Sequence, residues 1–200
     1  MSSRDEILSS IRAQRPRLER PLPEVPLFDQ GPSQPLSALF KLNLQRMGGV
    51  FLDLPEVGDP LAPVHALVAK AKVVCSVVPE IAGNRDIAAV ERAQDLADVD
   101  FAVVRAAFGV AETGSVLLGD VELRINALAY LAQHLVVLLD PAAIVLNLHH
   151  AYRRPEFRSR RYAAFHTGPS ATADIEGVLI HGAQGVRSLS VLPIARTPQA

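Results

Sequence analysis

Short apolar runs alternate with helical patterns along most of this 200-residue chain. The apolar runs VFLDL, VVCSVV, HLVVLLD, RYAAFH and SLSVLPI each have about the length of a buried strand. Between such runs, apolar residues recur at helical spacing, as Leu36, Phe40 and Leu44 do before the helix-stopping pair Gly48-Gly49. Because crossover helices are what join parallel strands, this alternation predicts an α/β fold with a mainly parallel sheet and helices on both faces.

The N-terminal part of the chain follows a different pattern. Ser3 and Glu6 fit a capping box at the start of a short amphipathic helix. Between residues 15 and 35, prolines recur so often that fixed φ angles and missing donors exclude regular structure. We therefore predict an N-terminal helix and an extended proline-rich arm over residues 1–35, and an α/β domain over residues 36–200. We expect the arm to be ordered, if at all, by packing on another surface.

The composition limits the functions that this chain could perform. Twenty basic and twenty-one acidic residues leave a formal charge of -1, so nothing steers the chain toward nucleic acid or an anionic membrane. There is no apolar run of about 18 residues and no secretory signal pattern, so we expect a cytoplasmic protein without a membrane span. With one cysteine, Cys75, and no metal-ligand spacing among its histidines, the chain is expected to bind no metal and no cofactor itself.

A polar segment, GVAETGSVLLGD, stands directly before the predicted strand SVLL. In α/β folds, ligands collect at strand ends of this kind. Glu112 could serve there as a base, a nucleophile or a hydrogen-bond acceptor, because burial and neighbouring groups set its protonation. An ordinary turn is the alternative interpretation. The candidate residues of this segment are Glu112, Thr113, Gly114 and Ser115.

A second polar segment, HTGPSATADIEG, follows the apolar run RYAAFH. It predicts a strand-to-helix junction, with a helix from about Thr172 to Ile180 that Ser170 or Thr172 caps. Backbone N–H groups at such a helix start could hold an anion, and Asp174 would limit it to a monoanion such as a lactate-sized carboxylate. A capped turn without a ligand is the alternative, and we expect Ser170 and Glu112 to approach one cleft. The candidate ligand-binding residues are Gly168, Pro169, Ser170, Thr172 and Asp174.

The two polar segments also carry a resemblance to a known family. AETGS before a strand, and GPSATADIE followed by Gly182 and Gly185, are similar to the lactate-utilisation protein C family, whose domain is called the LUD domain. The N-terminal RDEILSSIR extends the resemblance across nearly the whole chain. Two positions depart from the family pattern. Ala171 stands where a basic residue is usual, and Gln184 stands in the histidine position of a GVHGP-like turn.

The resemblance implies both a fold and a role. The implied fold is like that of ribose-phosphate isomerases and CoA-transferases. The implied role is as an accessory component of a cytoplasmic system that oxidises L-lactate to pyruvate, in which partner proteins hold the iron-sulfur clusters. The residues leave open a second function, a stand-alone enzyme that acts on a small anionic or acyl substrate with Glu112 as base or nucleophile.

Overall fold

The structure is a computed structural model, and it describes residues 2–16, 21, 23–31, 34–174 and 177–196. The strands are β1 (Val50–Phe51), β2 (Val74–Ser76), β3 (Phe101–Arg105), β4 (Gly109–Val110), β5 (Ser115–Gly119), β6 (His134–Leu139), β7 (Ile144–Val145), β8 (Ala163–His166), β9 (Ala171–Thr172), β10 (Ile180–His181) and β11 (Ser188–Pro193). The α-helices are α1 (Ser3–Gln14), α2 (Leu36–Arg46), α3 (Ala62–Val68), α4 (Asp120–Leu123), α5 (Leu128–Leu131), α6 (Leu148–Ala151) and α7 (Pro155–Arg158). Short 3-10 helices cover Ile87–Ala89, Ala93–Leu96 and Pro141–Ala143.

The core is built on a five-stranded sheet in the order β1-β11-β6-β3-β2, in which every neighbouring pair is parallel. Successive residues of β6 point to opposite faces, as the pleat of a strand requires. Val136 and Leu138 pack in the cluster that contains Val64 of α3. Leu135, Val137 and Leu139 pack on the opposite face, in the cluster that contains residues of α2 and α5. The predicted α/β class, with a mainly parallel sheet and helices on both faces, is confirmed.

A second, four-stranded sheet has the order β7-β4-β5-β8. Its β5 is antiparallel to both β4 and β8, and Val116 pairs with His166 across the β5–β8 register. Val116 and Leu118 of β5 belong to the same core cluster as the residues on one face of the central sheet. This sheet therefore places the start of β5 and the end of β8 side by side, which brings the two polar segments of the sequence together.

The predicted helix from about Thr172 to Ile180 is wrong. Thr172 and Ile180 pair in an antiparallel hairpin of β9 and β10 instead. The backbone N–H of Ser170 donates to the carbonyl of Val186 at 2.9 Å, and its carbonyl accepts from the N–H of Gly182 at 2.7 Å. Ser170 therefore caps no helix, because the chain enters a hairpin at this point. After β6, Asp140-Pro141 predicts the start of a helix that carries Ile144, Leu148 and Tyr152, but a 3-10 helix and β7 precede the short α6, so this prediction is wrong in extent.

The N-terminal helix is capped one residue earlier than predicted, by Ser2 and Asp5 in a reciprocal capping box. The described residues of the proline-rich arm, 15–16, 21, 23–31 and 34–35, contain neither helix nor strand. The expectation that another surface orders the arm is wrong for its described part. Asn147 of the α/β domain donates a hydrogen bond to the arm at the carbonyl of Leu27, so the arm packs on its own domain.

The described part of the chain holds no helix that is both long and apolar enough to cross a membrane. Within the same ranges, no group of three or more His, Cys, Asp or Glu side chains is arranged to hold a metal ion. Cys75 lies fully buried in strand β2 of the central sheet.

Candidate functional site

The loop that carries Glu112 lies directly against helix α2. Gly114 has a φ of +67°, and a Cβ at this position would lie 2.1 Å from the backbone nitrogen of Leu44. Glycine is therefore required by both the conformation and the close approach. The preceding residue of α2, Asn43, donates from Nδ2 to the carbonyl oxygens of Ala111 and Glu112, both at 2.9 Å. These contacts fix the loop to the last turns of α2.

Glu112 is oriented from the other side by the chain leading into α6. Its backbone N–H donates to the carbonyl of Leu146 at 2.9 Å, and its Oε2 accepts from the N–H of Leu148 at 3.1 Å. The residue is nevertheless exposed. A carboxylate held in this way can accept a hydrogen bond or a proton from a bound molecule.

A group of hydroxyls lies next to Glu112. Ser115, which is 3% exposed, donates from Oγ to Oγ1 of Thr113 at 2.7 Å and is hydrogen-bonded to the hydroxyl of Thr167. Thr167 follows the last residue of β8, so this contact joins the two polar segments. The three hydroxyls provide neutral donors and acceptors for a polar ligand.

These side chains line a pocket of about 390 Å³. That volume is within the range of small-molecule sites. Arg46, near the end of α2, supplies a positive charge and Glu112 supplies a negative one. The pocket therefore offers one cation, one carboxylate and several hydroxyls to a small polar molecule. Its lining residues are Asn43, Arg46, Met47, Glu112, Thr113, Ser115 and Thr167.

Of the candidates from the sequence, Glu112, Thr113 and Ser115 are among the lining residues. Gly168 supports the wall, with a φ of +72° and a would-be Cβ only 2.2 Å from the carbonyl oxygen of Met47. Pro169 lies close behind, within 3.4 Å of the position that a Cβ on Gly48 would take. The second polar segment thus reaches the pocket through Thr167 and packs on the end of α2 through its glycine.

The predicted anion cradle at Ser170, Thr172 and Asp174 lacks its helix. Thr172 and Asp174 make a local turn, in which the N–H of Asp174 donates to Oγ1 of Thr172 at 3.3 Å and that hydroxyl donates to the carboxylate at 3.1 Å. Among the described residues of this segment, 168–174 and 177–182, no helix start aligns N–H groups toward a carboxylate. The residues that line the pocket come instead from α2, the Glu112 loop and Thr167.

Sequence reasoning missed Asn43 and Arg46, whereas Thr167 lies within the second polar segment but was not singled out. The first two lie on a helix that was predicted from its apolar residues, and any exposed helix carries polar residues on its other face. Gly114 in the AETG loop indicates that another backbone approaches closely, but the sequence does not show that this backbone belongs to α2.

His166, at the end of β8, is a half-buried neighbour of the site. Its Nε2 has no hydrogen-bond partner among the described residues, and burial lowers the pKa of this histidine to about 4. The Tyr130 ring lies 5.4 Å away between centroids. Burial and a hydrogen bond to the Tyr162 hydroxyl raise the pKa of Tyr130 to about 12. Both groups are therefore neutral near pH 7 and add no charge to the pocket.

The structure is that of an α/β protein with a pocket of small-molecule size between helix α2, the Glu112 loop and Thr167. The LUD domain matches residues 53–193, which is more than half of the chain, so the chain belongs to the LUD domain family. This family is associated with lactate utilisation. The matched range begins after α2, so the Glu112 loop and Thr167 lie inside it and Asn43, Arg46 and Met47 lie outside it.

A solved structure supports the fold. A DUF162 family protein from Deinococcus radiodurans aligns with a TM-score of 0.54 at 14% sequence identity, covering 78% of this chain and 94% of that one. At this identity the likeness concerns the fold alone. No curated protein matches the chain.

Proposed function

We propose that this chain is an accessory component of L-lactate oxidation to pyruvate in the cytoplasm, working with iron-sulfur partner proteins. Its membership of the LUD domain family carries the proposal. The resemblance of AETGS and GPSATADIE to the lactate-utilisation protein C family supports the particular role.

Electron transfer is assigned to the partners because of the chemistry of Cys75. Iron-sulfur clusters are held by several cysteine thiolates, and this chain has one cysteine. Cys75 is fully buried, and burial raises the pKa of its thiol, which keeps it protonated and a poor ligand. We therefore place the iron-sulfur clusters in the partner proteins and assign ligand binding to the pocket of this chain.

The pocket suits a small hydroxy-carboxylate. Arg46 can pair with the carboxylate, and the Glu112 carboxylate can accept the hydrogen bond of the hydroxyl. Since the two charged lining residues have opposite signs, a monoanion with a neutral hydroxyl fits better than a phosphate dianion. L-Lactate has these two groups on adjacent carbons.

Reconstitution tests the role. Pyruvate formation from L-lactate is measured with the iron-sulfur lactate-utilisation proteins of the same source, with and without this chain. We expect the rate to fall at least tenfold when the chain is omitted. An unchanged rate would remove the accessory role.

The alternative is a stand-alone enzyme acting on a small anionic or acyl substrate, and the orientation of Glu112 favours it. The Leu148 N–H holds one oxygen of the carboxylate at 3.1 Å while the residue stays exposed at the pocket, as a base or nucleophile requires. Attack of this carboxylate on an acyl thioester would form an acyl anhydride and release the thiolate. Intact mass after incubation of the chain alone with an acyl thioester checks this, since the acyl mass should be gained by the wild type and absent from Glu112→Gln.

A further inference from the structure

Residues 25–31 of the proline-rich arm, here called the arm segment, cross over the chain that leads into α6. Nδ2 of Asn147 donates to the carbonyl of Leu27 at 2.8 Å and more weakly to that of Phe28 at 3.3 Å. Further along α6, Nε2 of His150 lies 2.7 Å from Oδ1 of Asp29. The arm segment is therefore attached through both its backbone and a side chain.

Two more contacts extend this attachment to the ends of the arm segment. Arg153 donates from Nη2 to the carbonyl of Val25 at 3.1 Å, and the Phe28 ring lies 4.7 Å from the His149 ring between centroids. A Cβ on Gly31 would lie 3.3 Å from Cδ2 of Leu146. The arm segment thus follows residues 146–153 along their outer side.

The inner side of the same stretch holds Glu112. The carbonyl of Leu146 accepts from the Glu112 backbone, and the N–H of Leu148 donates to the Glu112 carboxylate. Residues 146–148 therefore lie between the arm segment and the candidate site. Asn147, in the middle of this stretch, is 5% exposed.

One side-chain amide connects the two sides. While Nδ2 of Asn147 holds the arm segment, its Oδ1 accepts from the N–H of His150 at 3.1 Å and so caps α6. The side chain that anchors the arm segment therefore belongs to the residue directly before Leu148, whose N–H donates to the Glu112 carboxylate.

We propose that Asn147 is a positioning residue for Glu112, and that the arm segment is the anchor through which it acts. By tying the arm to the start of α6, Asn147 fixes the Leu148 N–H that orients the Glu112 carboxylate. The consequence for ligand binding rests on the proposed function, whereas the coupling between arm and carboxylate does not.

Asn147→Asp separates the two roles of this amide. The remaining carboxylate oxygen still caps α6, since Asp and Asn are equivalent caps. The second oxygen replaces a donor and faces the carbonyls of Leu27 and Phe28, so the arm segment is repelled. We expect chymotrypsin cleavage after Phe28 and hydrogen exchange of the Leu148 N–H each to accelerate at least tenfold. Exchange of the Val137 N–H, in the central strand β6, should stay unchanged.

Asn84→Asp is the matched control. Asn84 makes the same kind of bridge elsewhere, accepting from the N–H of Val74 at 2.8 Å and donating to the carbonyl of Lys72 at 2.7 Å. This variant should leave both the cleavage after Phe28 and the Leu148 exchange unchanged. The proposal would be overturned if Asn147→Asp did not accelerate cleavage after Phe28. It would also be overturned if cleavage became faster while exchange of the Leu148 N–H stayed unchanged.

Titration with L-lactate separates this proposal from the proposed function. We expect the affinity of Asn147→Asp to fall at least fivefold, in step with the Leu148 exchange. Faster exchange with an unchanged lactate affinity would support the positioning role and count against lactate as the ligand of Glu112.

Discussion

The two polar segments of this chain look alike in sequence but are held in different ways. The segment around Glu112 is fixed by α2 on one side and by residues 146–148 on the other. The segment after His166 turns into a hairpin whose contacts at Thr172 and Asp174 are local. Small, hydroxyl-bearing residues at a strand end therefore do not by themselves define a binding site. Contacts with distant parts of the chain decide which segment is shaped and presented to a pocket.

The largest expected effect is on the free energy of unfolding when one glycine of each polar segment is replaced by alanine. Gly114→Ala should cost about 3 kcal/mol or more, because the Cβ both strains a positive φ and meets the backbone of Leu44. Gly177, in the hairpin loop, has a similar φ of +70° with open space around it. Gly177→Ala should therefore cost only about 1 kcal/mol. Urea unfolding of both variants measures this, and equal costs would mean that the Glu112 loop does not pack tightly on α2.

The second expected effect concerns His166, which joins β8 to the hairpin segment. Its folded pKa of about 4 lies below the ordinary value of 6.5, because burial disfavours the charged ring. The unfolded chain thus binds a proton first as the pH falls. The stability that the neutral ring contributes is fully present above pH 6.5 and is lost as the pH falls toward 4, by roughly 3 kcal/mol.

Chemical denaturation of wild type and His166→Gln between pH 7 and pH 4 tests this effect. The free-energy difference between the two proteins isolates His166 from the other titrating groups. A difference that stays constant with pH would show that the ring is hydrated in the folded protein.

The smallest expected effect is that of Ser170→Ala, which should change the free energy of unfolding by less than about 0.5 kcal/mol. The hydrogen bonds of Ser170 with Val186 and Gly182 use its backbone, and the variant retains them. Thermal denaturation at neutral pH gives the value. A loss of about 1–2 kcal/mol, as expected for a helix N-cap, would contradict the hairpin.

The sequence predicts the central sheet well for a physical reason. The run LVVLL, residues 135–139, is apolar at every position because both faces of this parallel strand are buried. The strand β3 was missed, although FAVVR has the same character, because the preceding residues Pro79 to Asp100 lack a clear pattern.

The hairpin and the pocket wall could not be predicted in the same way. GPSATADIEG contains good capping residues, and these also suit turns, so the local sequence does not choose between a helix and a hairpin. Its apolar residues Val178 and Leu179 remain 60% exposed instead of joining a core. Asn43 and Arg46 line the pocket because the Glu112 loop packs against α2. The position of that loop depends on the pairing of strands that are distant in sequence.

We propose that the pocket at Glu112, and not the hairpin, is the functional site. The direct test is the rate of pyruvate formation from L-lactate in the reconstituted system with wild type, Glu112→Gln and Asp174→Asn. Gln keeps an oxygen that can accept from the Leu148 N–H, so melting temperatures should remain close to that of the wild type. We expect the rate of pyruvate formation to be at least tenfold lower for Glu112→Gln and unchanged for Asp174→Asn. A full rate for Glu112→Gln, or an equal loss in Asp174→Asn, would contradict this proposal.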